Sequence, residues 1–184
     1  MASAACLARR GGTLDPPRPC HDSIVAITIR SAEPRDLTAL GRMGAALMRT
    51  HYAFDRQRFL APGDGAEAGY GDFLGSQLAD ADSVVMVAEV DGVVAGYVYA
   101  GIEPLSWKEL RDEAGFIHDL LVEEAFRHSG AGQLLLDAAI AWLKQRDMPR
   151  VVLWSAAQNA GAQRLFDRRG FRSTMIEMTL ELDG

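Results

Sequence analysis

The stretch Phe116-Ile117-His118-Asp119-Leu120-Leu121-Val122-Glu123-Glu124-Ala125-Phe126-Arg127-His128-Ser129-Gly130-Ala131-Gly132-Gln133-Leu134-Leu135 decides how this chain is read. Its first seven residues form an apolar, β-rich run that predicts a strand. Residues 130–146 predict a helix, with Leu134, Leu135, Ala138, Ile140 and Trp142 assigned to its buried side. Between the two lies the turn 127–132. A helix start carries unpaired N–H groups and about half a positive charge from its macrodipole. Glycine lets backbone approach an anion closely, so such a turn suits a phosphate. Two glycines alone would mark only a turn. A Walker loop is excluded, because Gly132 is followed by Gln133 and Leu134 rather than Lys and Ser or Thr. A dinucleotide fingerprint needs a third glycine at position 135, which is leucine.

Working outward, residues 84–90 and 93–100 are β-rich runs joined by Asp91-Gly92, the pair that supplies positive φ for a tight hairpin. Residues 107–112 form a polar connection. Residues 24–30 predict a first strand, and Ser31-Ala32-Glu33-Pro34 a helix entry with proline in the first turn. Leu37, Leu40, Met43, Ala46 and Leu47 then give one apolar helix face. Pro62, Gly63, Gly65 and Gly69 signal a loop between residues 59 and 70. A short helix is expected around Phe73, Leu74 and Leu78. Downstream, residues 151–155 predict a buried strand and residues 159–169 a short helix ended by Gly170. A last strand is expected at residues 175–180. This order predicts an α/β domain around a mixed sheet, with one strand-helix-strand crossover in its second half.

The turn resembles the Arg/Gln-x-x-Gly-x-Gly/Ala pyrophosphate loop of the GNAT superfamily of acyl-CoA-dependent N-acetyltransferases. The run from Ile117 to Val122 is similar to that family's fourth strand. Asn159-Ala160-Gly161-Ala162-Gln163-Arg164-Leu165-Phe166-Asp167-Arg168-Arg169-Gly170-Phe171 resembles its Asn-x-x-Ala-x-x-Leu-Tyr-x-x-x-Gly-Phe segment. Ile29-Arg30 with Asp36-Leu37 is similar to the usual opening. The resemblance covers about residues 27 to 182, with the elements in the same order. It implies a mostly antiparallel sheet of six to seven strands flanked by helices, with a splayed central strand pair.

Composition sets the outer limits. The chain has 184 residues, 48% hydrophobic and 24% charged, which fits one soluble globular domain. Residues 1–23 read as a disordered extension and residues 24–184 as the domain. The net charge of −6 argues against nucleic acid as partner, and no apolar run is long enough to span a membrane. Both cysteines, Cys6 and Cys20, lie in the extension, so neither a disulfide framework nor a covalent acyl-cysteine is expected. A cytoplasmic location follows from the same reading.

The resemblance also implies a chemistry. An acetyl group would pass from acetyl-CoA to a primary amine, of a small molecule or a protein, by direct attack in a ternary complex. Backbone groups of Leu120, Leu121 and Val122 would pair with the pantetheine arm, and one N–H there would stabilise the oxyanion. Arg127, His128, Ser129, Gly130, Ala131 and Gly132 would hold the pyrophosphate. Asn159 would contact the arm, and it is also a favoured helix N-cap. The attacking amine must lose a proton, and His118 is the first candidate base. Strict alternation puts His118 on the face of Leu120, opposite Asp119. A bulge would reverse this, so Asp119 and Glu103 stand as alternates.

Many family members protonate the leaving thiolate with a tyrosine in the second-last helix. The matching residue here is Phe166, which has no proton to give. Tyr97 and Tyr99 are the candidate substitutes. Residues 51–72 hold Tyr52, Phe54, Asp55, Phe59, Asp64, Glu67, Tyr70 and Asp72, an aromatic and acidic mixture in the region where family members bind acceptors. A second reading is an inactive acyl-CoA-binding sensor, and a homodimer through exposed strands is compatible with either.

Overall fold

The computed structural model describes residues 26–182. The expected extension at 1–23, with Cys6 and Cys20, lies outside the described residues. Strand β1 (Ile27–Ser31) leads through a 3₁₀ turn (Pro34–Asp36) into helix α1 (Leu37–Phe54), and helix α2 (Ala66–Gln77) follows. Strands β2 (Ser83–Val90), β3 (Val93–Glu103) and β4 (Ala114–Val122) come next, then helix α3 (Ala131–Lys144), strand β5 (Val151–Leu153) and helix α4 (Ala160–Arg168).

The sheet order is β1-β2-β3-β4-β5, antiparallel throughout except for the parallel β4–β5 pair that closes the β4-α3-β5 crossover. Asp91 and Gly92 both have positive φ, 49° and 78°, as a two-residue hairpin of matching twist requires. The described residues form five strands rather than six to seven. The missing one is the expected strand at 175–180, which runs without strand pairing. Met175, Ile176, Met178, Leu180 and Leu182 are each at least 80% exposed. Glu177 ties this tail to Arg58, in the connection after α1.

Alternation along the strands divides the core between the two faces of the sheet. Ala88, Val98, Ala100 and Ile117 pack against Leu135, Leu136, Ala139 and Leu143 of α3 and Phe166 of α4. Val85, Val87, Tyr97 and Tyr99 pack against Leu40 and Met43 of α1 and Leu74 of α2. Leu134, assigned to the buried side from sequence, is 41% exposed instead, and Leu136 takes the buried place.

The expected loop at 59–70 is shorter than its glycines suggest, because α2 already starts at Ala66. Close packing of α1 against α2 explains two glycines of α1. A Cβ at Gly41 would overlap the Glu67 carbonyl oxygen, and one at Gly44 would overlap the Tyr70 ring. At the chain's opening, the Arg30 guanidinium donates to both Asp36 carboxylate oxygens at 2.7 and 3.0 Å and to Glu89 at 2.9 Å. This holds the buried Asp36 carboxyl below the usual carboxylate range, the hydrogen bonds from Arg30 outweighing burial. No helix of the described residues is long and apolar enough to cross a membrane.

Candidate active site

Two features of β4 build the site. The first is its unequal pairing. On one edge β4 pairs with β3 as far as Gly96↔Val122. On the other, β5 pairs only from Gly115↔Val151 to Ile117↔Leu153. Beyond Ile117 the two strands part, leaving one edge of Leu120, Leu121 and Val122 without a partner strand. The opening is a narrow cleft of about 60 Å³. From β4 it is lined by Ile117, His118, Asp119 and Leu120, and from the β5 side by Leu153, Trp154 and Ser155. Leu47 and His51 of α1 close one wall, and Asn159, Ala162 and Phe166 close the other.

The second feature is a bulge. Tyr99 opposes Asp119 and Ala100 opposes Ile117, so His118 is an extra residue in the ladder. Simple alternation therefore fails, and His118 does not share the face of Leu120. It lies with Asp119 on the side of the tyrosines, its ring stacked at 4.7 Å on Tyr99 and at 5.0 Å on Phe116. Its Nε2 is 3.2 Å from Glu103 Oε1. Partial burial lowers the His118 pKa, opposed by the carboxylates of Glu103 and Asp119.

Asp119 is gripped from two elements. The Tyr70 hydroxyl of α2 donates to its Oδ2 at 2.6 Å and that of Tyr97 at 3.0 Å. Burial raises the Asp119 pKa and these two bonds lower it. The Tyr70 and Tyr97 hydroxyls are themselves pushed well above the ordinary phenol value, first by burial and then by the adjacent carboxylate. Neither Tyr97 nor Tyr99 reaches the cleft lining. Tyr97 is fully buried, and the Tyr99 hydroxyl donates to Gln77 Oε1 at 2.9 Å. Alternation places both rings against α1 and α2, which explains why the structure does not bring these candidate acids into the opening.

At the start of α3, Arg127 has extended backbone, whereas His128 has φ 66° and Gly130 φ 95°. Gly130 stands at the N-cap, and a side chain added there would meet no protein atom within 4 Å. Ser129 Oγ accepts from the Ala131 N–H at 3.3 Å. Gly132 faces Val122 and Leu165 with room for no more than van der Waals contact. On the far wall, Asn159 caps α4 by accepting from the Ala162 N–H at 3.2 Å. Phe166 is buried, 5.9 Å from the Phe171 ring. Among the described residues no cluster of His, Cys, Asp or Glu has the arrangement of a metal site.

Sequence reasoning did not find Ser155, Trp154 or His51, and it placed Tyr70 only within a general acceptor region. Tyr70 and Asp119 are 49 positions apart, and no local pattern joins them. The glycine opposite Tyr70, Gly44 in α1, is the one signal that a ring must fit there.

A mixed sheet whose central strands part next to a glycine turn at a helix start agrees with the architecture that the sequence resemblance implies. The Acetyltransferase (GNAT) family profile matches residues 47–171, and the chain belongs to that family. It is 36% identical over 90 residues to an uncharacterised N-acetyltransferase of Methanocaldococcus jannaschii, a match that covers 49% of this chain and 39% of that relative. The chain thus spans about two fifths of that relative's length. Among solved structures, a variant of the BH1408 protein from Bacillus halodurans superposes with a TM-score of 0.73 at 21% identity, covering 84% of this chain and 99% of that one. The aminoglycoside N-acetyltransferase AAC(6')-Iy in complex with CoA does so with a TM-score of 0.67 at 18% identity, covering 86% and 95%. At these identities the two structures show the shared fold.

Proposed function

We propose that this protein moves an acetyl group from acetyl-CoA to a primary amine by direct attack. The observation that carries the reading is the unpaired edge of Leu120, Leu121 and Val122, which opens beside the turn at the start of α3. That edge supplies backbone groups for a pantetheine arm, and the N–H groups of His128, Ser129, Gly130, Ala131 and Gly132 supply donors for a pyrophosphate, with Arg127 adding charge. Asn159 borders the arm, and Phe166 packs beside it.

In the reaction, an amine nitrogen attacks the thioester carbon while a β4 N–H stabilises the oxyanion, a contribution of roughly 10²–10³ in rate. His118 accepts the amine proton. Its lowered pKa keeps the imidazole neutral at neutral pH, as a base requires. Glu103 and Asp119 add negative charge that favours a cationic acceptor, a small molecule or a peptide.

Thermal-shift titration tests the donor site, with acetyl-CoA as ligand and NAD and ATP as controls. Saturable stabilisation by acetyl-CoA alone, lost in Gly130→Glu, is expected. No shift at millimolar acetyl-CoA would make the turn structural. CoA release across an amine panel then tests turnover. Phe166, in the place of a proton donor, favours a second reading as an acyl-CoA sensor, and binding without turnover on any amine would select it. A homodimer belongs to either reading, supported by the exposed apolar tail after α4. Light scattering should give twice the chain mass at micromolar concentration, and a monomer throughout that range would remove the pairing.

A further inference from the structure

Phe166 leaves the proposed reaction without a donor for the departing sulfur, yet the same cleft holds a hydroxyl with nothing to bond. Ser155 Oγ is the buried side-chain polar atom that lacks a hydrogen-bond partner among the described residues. It lies just past the end of β5, where the chain leaves the sheet, and it lines the cleft together with Leu120, Leu153 and Phe166. Beside it, Trp154 meets the Phe116 ring edge-on at 5.2 Å, which fixes the path of the chain at this exit. A hydroxyl stripped of water and given no partner opposes folding unless something else takes its hydrogen bond. A substrate bound in this cleft would supply that partner.

We infer that the Ser155 hydroxyl donates a hydrogen bond to the thioester sulfur as the carbon–sulfur bond breaks, the task a phenol at position 166 would otherwise perform. The inference rests on the acetyl-CoA reading above. The amine nitrogen forms its bond to the acyl carbon and loses its proton to His118. The carbon–sulfur bond breaks with its electron pair going to sulfur. An aliphatic hydroxyl is a far weaker acid than a thiol, whose pKa is about 8.5, so Ser155 keeps its proton and stabilises the thiolate. The sulfur takes its own proton from solvent after release. Such a bond strengthens as charge builds on sulfur, so it acts on the transition state more than on the bound ester.

The test separates kcat from KM in Ser155→Ala and Ser155→Thr, using CoA release with the fastest amine of the panel. Losing a hydrogen bond to a charged group predicts a fall in kcat of roughly ten- to a hundredfold in Ser155→Ala. KM for acetyl-CoA should stay within about twofold, and Ser155→Thr should stay within about threefold of wild type in kcat. An unchanged kcat in Ser155→Ala overturns the inference. So does a raised KM at constant kcat, which would place the bond on the pantetheine arm, or an equal loss in Ser155→Thr, which would make the effect one of packing. Thermal shift with acetyl-CoA on the same proteins keeps the two claims apart. Its absence in wild type defeats the acetyl-CoA reading itself, whereas its presence with unchanged kcat in Ser155→Ala defeats the role of Ser155 alone.

Discussion

Against α3 and α4 the sheet presents Ala88, Val98, Ala100 and Ile117, while against α1 and α2 it presents Tyr97, Tyr99 and, past the bulge, His118 and Asp119. The first face is apolar throughout, and what it offers a ligand is backbone, in the open edge of β4 and the turn into α3. The second face offers side chains, with two tyrosine hydroxyls on one carboxylate and an imidazole stacked between rings. Backbone recognition constrains sequence through glycines, caps and spacing. Side-chain recognition can be assembled from any residues that the fold happens to bring together. The backbone features on which the proposed donor half rests were therefore readable in advance, whereas on the other face single residues such as His118 and Asp119 could be named but not their joining with Tyr70.

The largest expected effect falls on the side-chain face. His118→Ala should lower kcat/KM by roughly 10²–10⁴ while leaving the thermal shift with acetyl-CoA intact, and an unchanged rate and pH profile would remove His118 from the chemistry. Next comes Gly44→Ala, whose methyl group meets the Tyr70 ring. Overpacking of this kind costs about 1–3 kcal/mol, read as a lower midpoint in urea, and it should weaken turnover more than acetyl-CoA binding. Tyr70→Phe removes one bond from the Asp119 carboxylate without removing the ring, so about 1.5–3 kcal/mol of stability should be lost. A larger loss would mean that the hydroxyl also orders α2.

Glu103→Gln should act on the pH profile and, through the lost negative charge, modestly on KM for a cationic acceptor. The Glu103 carboxylate raises the His118 pKa against the effect of burial, so neutralising it lowers that pKa further. The acid limb of the kcat/KM profile should then move to lower pH, and a move upward would contradict the pairing. The smallest effect belongs to the backbone face. Ser129→Ala should change KM for acetyl-CoA by less than about threefold, since a surface hydroxyl contributes little beside main-chain donors. A tenfold rise would show that the turn binds through side chains after all.

Local features carried the successful part of the reading. Asp91-Gly92 specifies its hairpin, Asn159 caps its helix, and Gly170, at φ 85°, ends it. Each is decided within a few residues. The bulge at His118 arises from how β3 and β4 align, so the spacing of β4 alone could not reveal it. Gly63 and Gly65 do lie in the connection before α2, and of the loop signal Gly69 alone falls inside the helix, where a Cβ would meet no protein atom within 4 Å; propensity, which counts the cost of glycine in a helix, therefore set the helix start too late. The tail after α4 has the alternation of a strand but pairs with no strand, so pattern alone overcounted the sheet.

The extra residue in β4 also works as a change of phase. Before it, Phe116 faces the tyrosine side and Ile117 the α3 side; after it, Asp119 and Leu121 take the tyrosine side, and Leu120 and Val122 the other. Remove His118, and Ile117 would join Asp119 in an unbroken ladder with every remaining side chain still on its present face. The candidate base is thus a single codon added to a sheet that closes without it. A lineage could gain or lose that group by one insertion or deletion, while the backbone edge offered to the acyl donor stayed as it is.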